Sequence, residues 1–127
     1  MISRNAISTE KAPGAVGPYS QAIKSGDYLF ISGQLPIDMT TGEFPGTIGD
    51  MTGCCLKNLD AIANQAGTSL KNAVKLTVFL TDMDDFAAMN AVYSGFFPEA
   101  PPARSTIAVA GLPKNAPIEI EAICALG

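Results

Sequence analysis

The chain has 127 residues, a hydrophobic fraction of 47%, a charged fraction of only 16% and a formal net charge of −4. That length and apolar content suit one globular domain over residues 1–127 and argue against disorder. The absence of histidine excludes Ser-His-Asp and Cys-His catalysis and every histidine metal site. Six lysines and two scattered arginines form no basic stripe, so nucleic acid is not an expected partner. Cys54 and Cys55 are adjacent and Cys124 is distant, a spacing that suggests neither a metal site nor a disulfide framework. Free thiols without a secretory leader pattern predict a reducing, cytoplasmic setting. No apolar run approaches the roughly 20 residues that cross a bilayer, so no membrane contact is expected. Charge this scarce predicts a surface partly hidden against other subunits.

Strand signals dominate the N-terminal third. "DYLFISGQ", Asp27–Gln34, is rich in β-branched and aromatic residues, with "GPYSQAI" expected as its hairpin partner and Lys24–Asp27 as the turn. Pro36–Gly46 has loop chemistry. From Asp50 the period becomes helical: Cys55, Leu59, Ile62 and Ala66 recur on one face, Asp50 or Thr52 is the expected cap, and Gly67 suits the left-handed end. Ala73–Thr81 alternates, with Val74, Leu76, Val78 and Leu80 against Lys75, Thr77, Phe79 and Thr81. A second helix follows, with Asp82, Asp84 and Asp85 at its positive end and Phe86, Met89, Tyr93 and Phe96 as its buried stripe. Pro98, Pro101 and Pro102 stop it, and two strands close the chain, Arg104–Ala110 and Pro117–Ala125. The order implies an α+β domain with a sheet of about six strands and both helices on one face.

Charge inside the last two strands needs a reason. Alternation puts Glu119, Glu121 and Ile123 opposite Ile118, Ile120, Ala122 and Cys124. If Ser105, Ile107 and Val109 pack on the helices with the isoleucines, then Arg104 and Thr106 share the far face with both glutamates. This cluster is either a structural ion pair on a subunit-facing sheet or an anion site, since the Arg fork matches a carboxylate bidentately at any physiological pH.

The segments "APGAVGPYSQAI", "LFISGQLPID", "VKLTVFLTDMDDFAAMNAVYSGFF" and "PPARSTIAVAGLPKNAPIEIEAI", in this order, resemble the reactive intermediate/imine deaminase family (RidA, or YjgF/YER057c/UK114) over nearly the whole chain. The resemblance implies a chorismate-mutase-like (ferredoxin-like) α+β fold in a homotrimer. Its sheets form an inner barrel, and its ligand clefts lie between subunits. It implies hydrolysis of 2-imino acids, 2-iminobutanoate and 2-iminopropanoate, to 2-oxo acids and ammonia, with no cofactor and no metal. Carried over by motif, Arg104 holds the substrate carboxylate, and Glu119 orients water and protonates the leaving nitrogen. Tyr19 closes the cleft, the backbone at Ser32 and Gly33 adds hydrogen bonds, and Asn90 either lies near the cleft or serves in helix capping or packing. Many relatives have cysteine where this chain has Thr106, whose backbone carbonyl is expected to meet the substrate nitrogen; no thiol nucleophile is then available. Glu121 is expected to be structural or interfacial. Two other activities stay open: a non-catalytic trimer that binds 2-oxo acids or a partner, and an endoribonuclease.

Overall fold

A computed structural model describes residues 2–127 of the chain. Six strands, β1 (Asn5–Ile7), β2 (Ala22–Ser25), β3 (Tyr28–Gln34), β4 (Ala73–Leu80), β5 (Ala103–Ala108) and β6 (Ile118–Ala125), form one mixed sheet in the order β1-β2-β3-β6-β4-β5. All pairings are antiparallel except β4 with β5. Helix α1 (Ile48–Gln65) connects β3 to β4 with β6 inserted between them, and α2 (Phe86–Phe96) connects β4 to the parallel β5. These are split and direct βαβ units, which place both helices on one side of the sheet. The other side is open in a single protomer. The expected α+β class, six strands and one-sided helices are all present.

Helix α1 is held by its apolar face. Cys55, Leu56, Leu59, Ile62 and Ala63 are fully buried against Leu29, Leu76, Val78, Ile118 and Ile120 of the sheet. Its start lies earlier than the sequence predicts. Thr47, not Asp50 or Thr52, is the cap, its hydroxyl accepting from the Asp50 backbone N–H at 3.1 Å. Thr52 instead turns its hydroxyl back to the Ile48 carbonyl at 2.8 Å. Gly67 ends the helix at φ +87 as expected, a conformation that a Cβ disfavours. Buried Asn58 donates from Nδ2 to the carbonyls of Leu35 and Ile37, at 3.3 and 2.9 Å, fixing the loop that follows β3.

Two irregularities shift residues between faces. Between Ala73 and Lys75, β4 advances two residues while β6 advances one, from Cys124 to Ile123. This bulge throws Val74 out to 41% exposure, so it leaves the apolar face that alternation assigned to it. From Ile31 to Gln34, β3 advances three residues against two on β6, from Ala122 to Ile120. Ser32 and Gly33 lie in that second bulge.

Three further corrections concern the strands. "GPYSQAI" forms a strand only from Ala22, and its hairpin turn narrows to Gly26–Asp27. Asn5–Ile7 adds an edge strand whose three residues are too few to show a pattern in the sequence. Most consequentially, β5 has the opposite facing to the one expected. In the parallel pairing Arg104 stands beside Leu76 and Thr106 beside Val78. Both partners are fully buried on the helix side, whereas Ile107 is 44% exposed on the open side. Arg104 and Thr106 therefore lie on the helix side, away from Glu119 and Glu121.

Replacing Thr47 by Ala removes a cap hydrogen bond worth about 1 kcal/mol. The urea unfolding midpoint, followed by far-UV circular dichroism at fixed protein concentration, should fall with an unchanged slope.

Candidate functional site

The residues singled out in the sequence divide into two groups on opposite faces of the sheet. The first lies at the β5 edge, on the helix side. The Arg104 Nη1 donates to Asn90 Oδ1 at 2.7 Å. The guanidinium carbon stands 4.7 Å from the Tyr93 ring centre and 5.6 Å from that of Phe86. Phe86, Asn90 and Tyr93 are spaced by four and three residues on α2, which aligns them on one helix face. The arginine is half-buried and lines a cavity of about 380 Å³ with Asn90, Tyr93, Phe97, Pro101 and Pro102. No ion pair involves it among the described residues. Two buried oxygens here have no hydrogen-bond partner, the Tyr93 hydroxyl and the Thr106 hydroxyl.

The second group lies on the open face. Gln21 organises it: its side chain accepts from the Thr9 N–H at 2.7 Å and donates to the carbonyls of Thr9 and Pro13. Its own carbonyl accepts from the Ser32 N–H at 2.9 Å. The Ser32 hydroxyl donates to the Ser20 carbonyl at 2.6 Å. These bonds tie the segment carrying Tyr19 to the β3 bulge. Tyr19, itself half exposed, lines a cavity of about 640 Å³ with Phe30, Ser32, Lys75, Thr77 and Glu121. Glu119 lies against the neighbouring bulge. A Cβ on Gly33 would fall onto its carboxylate and come within 3.1 Å of its Cγ. Gly33 is thus the residue that lets the glutamate lie flat against β3.

The electrostatics differ between the two groups. Burial first, and then the Glu121 charge, raise the Glu119 pKa above 4.5. Arg104 does not figure among the causes, as expected for groups on opposite sides of the sheet. Burial also raises Tyr93, with the Arg104 charge opposing it. Cys54 and Cys55 are raised mainly by burial, and Cys124 is pushed up to about 11. All three thiols stay protonated near neutral pH, which makes them poor nucleophiles. Among the described residues no cluster of His, Cys, Asp or Glu could hold a metal ion, and no helix is long and apolar enough to cross a membrane.

The structure thus joins Arg104 with Asn90 on the helix side, where Thr106 also lies, and on the open face sets Glu119 against Gly33 while Tyr19 and Ser32 border a cavity with Glu121, without bringing the two sets together in one protomer. The periodicity of α2 places Tyr93 and Phe86 in its buried stripe; Tyr93 is buried there, whereas Phe86 is 36% exposed. The signal that could have shown their contact with the arginine was their spacing from Asn90.

The class is a small α+β domain with a one-sided sheet, a half-buried arginine at one edge and a half-buried glutamate at an inner bulge. The sequence model of the Endoribonuclease L-PSP family matches residues 9–126. The RutC family protein y4sK of Sinorhizobium fredii is 60% identical over 121 residues, covering 94% of this chain and 96% of that protein. Reactive Intermediate Deaminase A, chloroplastic, of Arabidopsis thaliana is 45% identical over 126 residues, covering 98% of this chain and 67% of that one. A solved structure of Escherichia coli TdcF with bound serine superposes with a TM-score of 0.90 at 44% identity, covering 95% of this chain and 98% of the other. The chain belongs to this family, the RidA (YjgF) family.

Because the three atoms nearest to a Gly33 Cβ all belong to the flexible Glu119 side chain, Gly33→Ala should fold with stability within about 1 kcal/mol of the parent. It should also move the carboxylate into water. With burial as the leading cause of the shift, the Glu119 pKa should then fall toward 4.5, read by NMR titration of the side-chain carboxyl carbon.

Proposed function

We propose that the protein hydrolyses 2-imino acids, 2-iminobutanoate and 2-iminopropanoate among them, to 2-oxo acids and ammonia. The observation that carries this reading is the Arg104 guanidinium, half-buried beside a cavity and hydrogen-bonded to a neutral amide. Its remaining N–H groups fit a small carboxylate, at about 1.5–3 kcal/mol for each charge-assisted bond. Relatives named as reactive intermediate deaminases, at about 45% identity, support the imine as the reacting group, and the serine bound to TdcF is itself a small amino acid.

Glu119 is the proton carrier. A protonated imine carbon is electrophilic enough for water to attack once a base receives the water proton. The Glu119 carboxylate takes that proton as the C–O bond forms. In the resulting carbinolamine the carboxyl returns a proton to nitrogen, the C–N bond breaks and ammonia leaves. The second hydroxyl proton goes to solvent as the carbonyl forms. Such a positioned acid–base group contributes about 10²–10⁴-fold, and fixing carboxylate and water together contributes further by orientation. Tyr19 would cover the bound substrate. The backbone at Ser32 and Gly33 would supply hydrogen bonds, the Thr106 carbonyl would meet the substrate nitrogen, and Asn90 would border the carboxylate.

Arg104 and Glu119 diverge in one protomer, so this chemistry needs the β5 edge of one copy against the open face of another. A homotrimer with clefts between subunits satisfies that need. The family description also carries an endoribonuclease name, which makes RNA cleavage the second reading. The net charge of −4 disfavours it, since phosphate binding needs clustered cations.

Arg104→Ala should abolish release of 2-oxobutanoate from enzymatically generated iminobutanoate while leaving the oligomer intact by size-exclusion chromatography. Arg104→Lys should be nearly as poor, because a point charge lacks the fork. Undiminished turnover in the alanine variant would reject the anchor. Salt-sensitive cleavage of RNA by the parent, lost in the same variant, would favour the second reading.

The acid limb of kcat/KM should reflect Glu119, because only its carboxylate form accepts the water proton. Activity then falls as pH drops through the Glu119 pKa, which burial and the Glu121 charge raise in the protomer. Glu121→Gln removes one of the two causes of the rise, so the limb should move to lower pH. A limb that stays in place would assign the titration to another group.

A further inference from the structure

Among the described residues Arg104 has no acidic partner, on a sheet that carries two glutamates. An arginine taken partly out of water normally acquires a carboxylate, because an unpaired buried charge is costly. Here the groups around the guanidinium are uncharged. Asn90 accepts one N–H at 2.7 Å, the Tyr93 ring lies 4.7 Å beneath the guanidinium carbon, and the Phe86 ring borders it at 5.6 Å. Tyr93 is itself fixed: it is 5% exposed, and its ring packs against Phe97 at 4.9 Å between centres. Its hydroxyl has no hydrogen-bond partner, so the ring face, not the oxygen, is the part in use.

We infer that Tyr93 and Asn90 are positioning residues that hold Arg104 by neutral contacts alone, so that its full positive charge stays available to the substrate carboxylate. The inference rests on the reading of Arg104 as the carboxylate anchor and assigns the means by which that anchor is aimed. A π face attracts the cation without cancelling its charge, and a single amide acceptor orients the fork while leaving its other donors free. An aspartate at position 90 would do the opposite. It would fix the guanidinium equally well and neutralise it, leaving little attraction for a second carboxylate.

The test uses the purified full-length oligomer and two readouts, calorimetric binding of 2-oxobutanoate and the separate kcat and KM of imine hydrolysis. Tyr93→Leu should raise Kd and KM about tenfold, within the range of a desolvated cation–π contact, with kcat changed by less than about threefold. Tyr93→Phe, which keeps the ring, should match the parent in both. Asn90→Asp should fold and assemble normally yet bind 2-oxobutanoate at least tenfold more weakly. A folded Tyr93→Leu variant with parental Kd and KM would overturn the inference, as would a Tyr93→Phe variant as impaired as the leucine one. If Tyr93→Leu does not assemble, Asn90→Asp decides: unchanged affinity there rejects the neutral cradle. Loss of binding in Arg104→Ala together with parental binding in these variants rejects the cradle and keeps the anchor. Full binding in Arg104→Ala rejects both.

Discussion

The pairing of β4 with its two neighbours governs the distribution of chemistry in this molecule. Leu76 and Val78 point into the helix layer and carry Arg104 and Thr106 of β5 with them by register, while Phe79 points to the open side and carries Glu119 of β6. Period-two geometry allows no compromise: a shift of one residue in the β4–β6 pairing would exchange the faces of β6 and drive Ile118 and Ile120, both fully buried, out of the core, and the same shift in the β4–β5 pairing would take Arg104 away from Asn90 and the α2 rings. The separation of arginine from glutamate is therefore fixed by the same contacts that stabilise the fold. Chemistry that uses both groups has to be assembled from more than one chain.

Each face carries an electrostatic feature that no group among the described residues balances. On the helix side a guanidinium is surrounded by an amide and two aromatic rings. On the open side a glutamate is desolvated beside a second glutamate, and its pKa rises. Neither arrangement is optimal for the isolated protomer, since each leaves a charge uncompensated where a local ion pair would be easy to build. Sites that bind and transform ions commonly tolerate such imbalance, because the substrate or the reaction supplies the opposite charge.

Much of this was legible from the residues. The helical period of Cys55, Leu59 and Ile62, the alternation of Leu76, Val78 and Leu80, and the glycine at the end of α1 each report a physical rule that tertiary packing did not override. The facing of β5 was not legible. Arg104 and Thr106 alternate with Ser105, Ile107 and Val109, and hydrophobicity alone directs the isoleucine inward. The structure reverses this because α2 presents Asn90, Tyr93 and Phe86 to the strand, a surface suited to a guanidinium, while Ile107 remains on the open side. Val74 was misplaced for a different reason. A bulge adds one residue to β4 between Ala73 and Lys75, and no residue type near it marks the insertion. Motifs single out Arg104, Glu119, Gly33 and Tyr19; that Arg104 lies on the opposite face of the sheet from the other three emerges only from register.

Under the proposed assembly the low charge content and the separation of Arg104 from Glu119 share one explanation. Tyr28, Phe30, Val74 and Ile107 are each 41–46% exposed in the protomer. Phe30 also borders the cavity that holds Tyr19 and Ser32. Apolar groups this large cost about 25 cal/mol for every Å² left in water, so a second copy that covers them gains free energy whether or not a ligand is present. Covering them also excludes water from the carboxylate and brings foreign side chains to the open face. Under the proposed assembly, one contact would both bury the apolar surface and complete the site. A protomer that dissociated would lose apolar burial and chemistry together, which ties turnover to subunit concentration instead of to any group within a single chain.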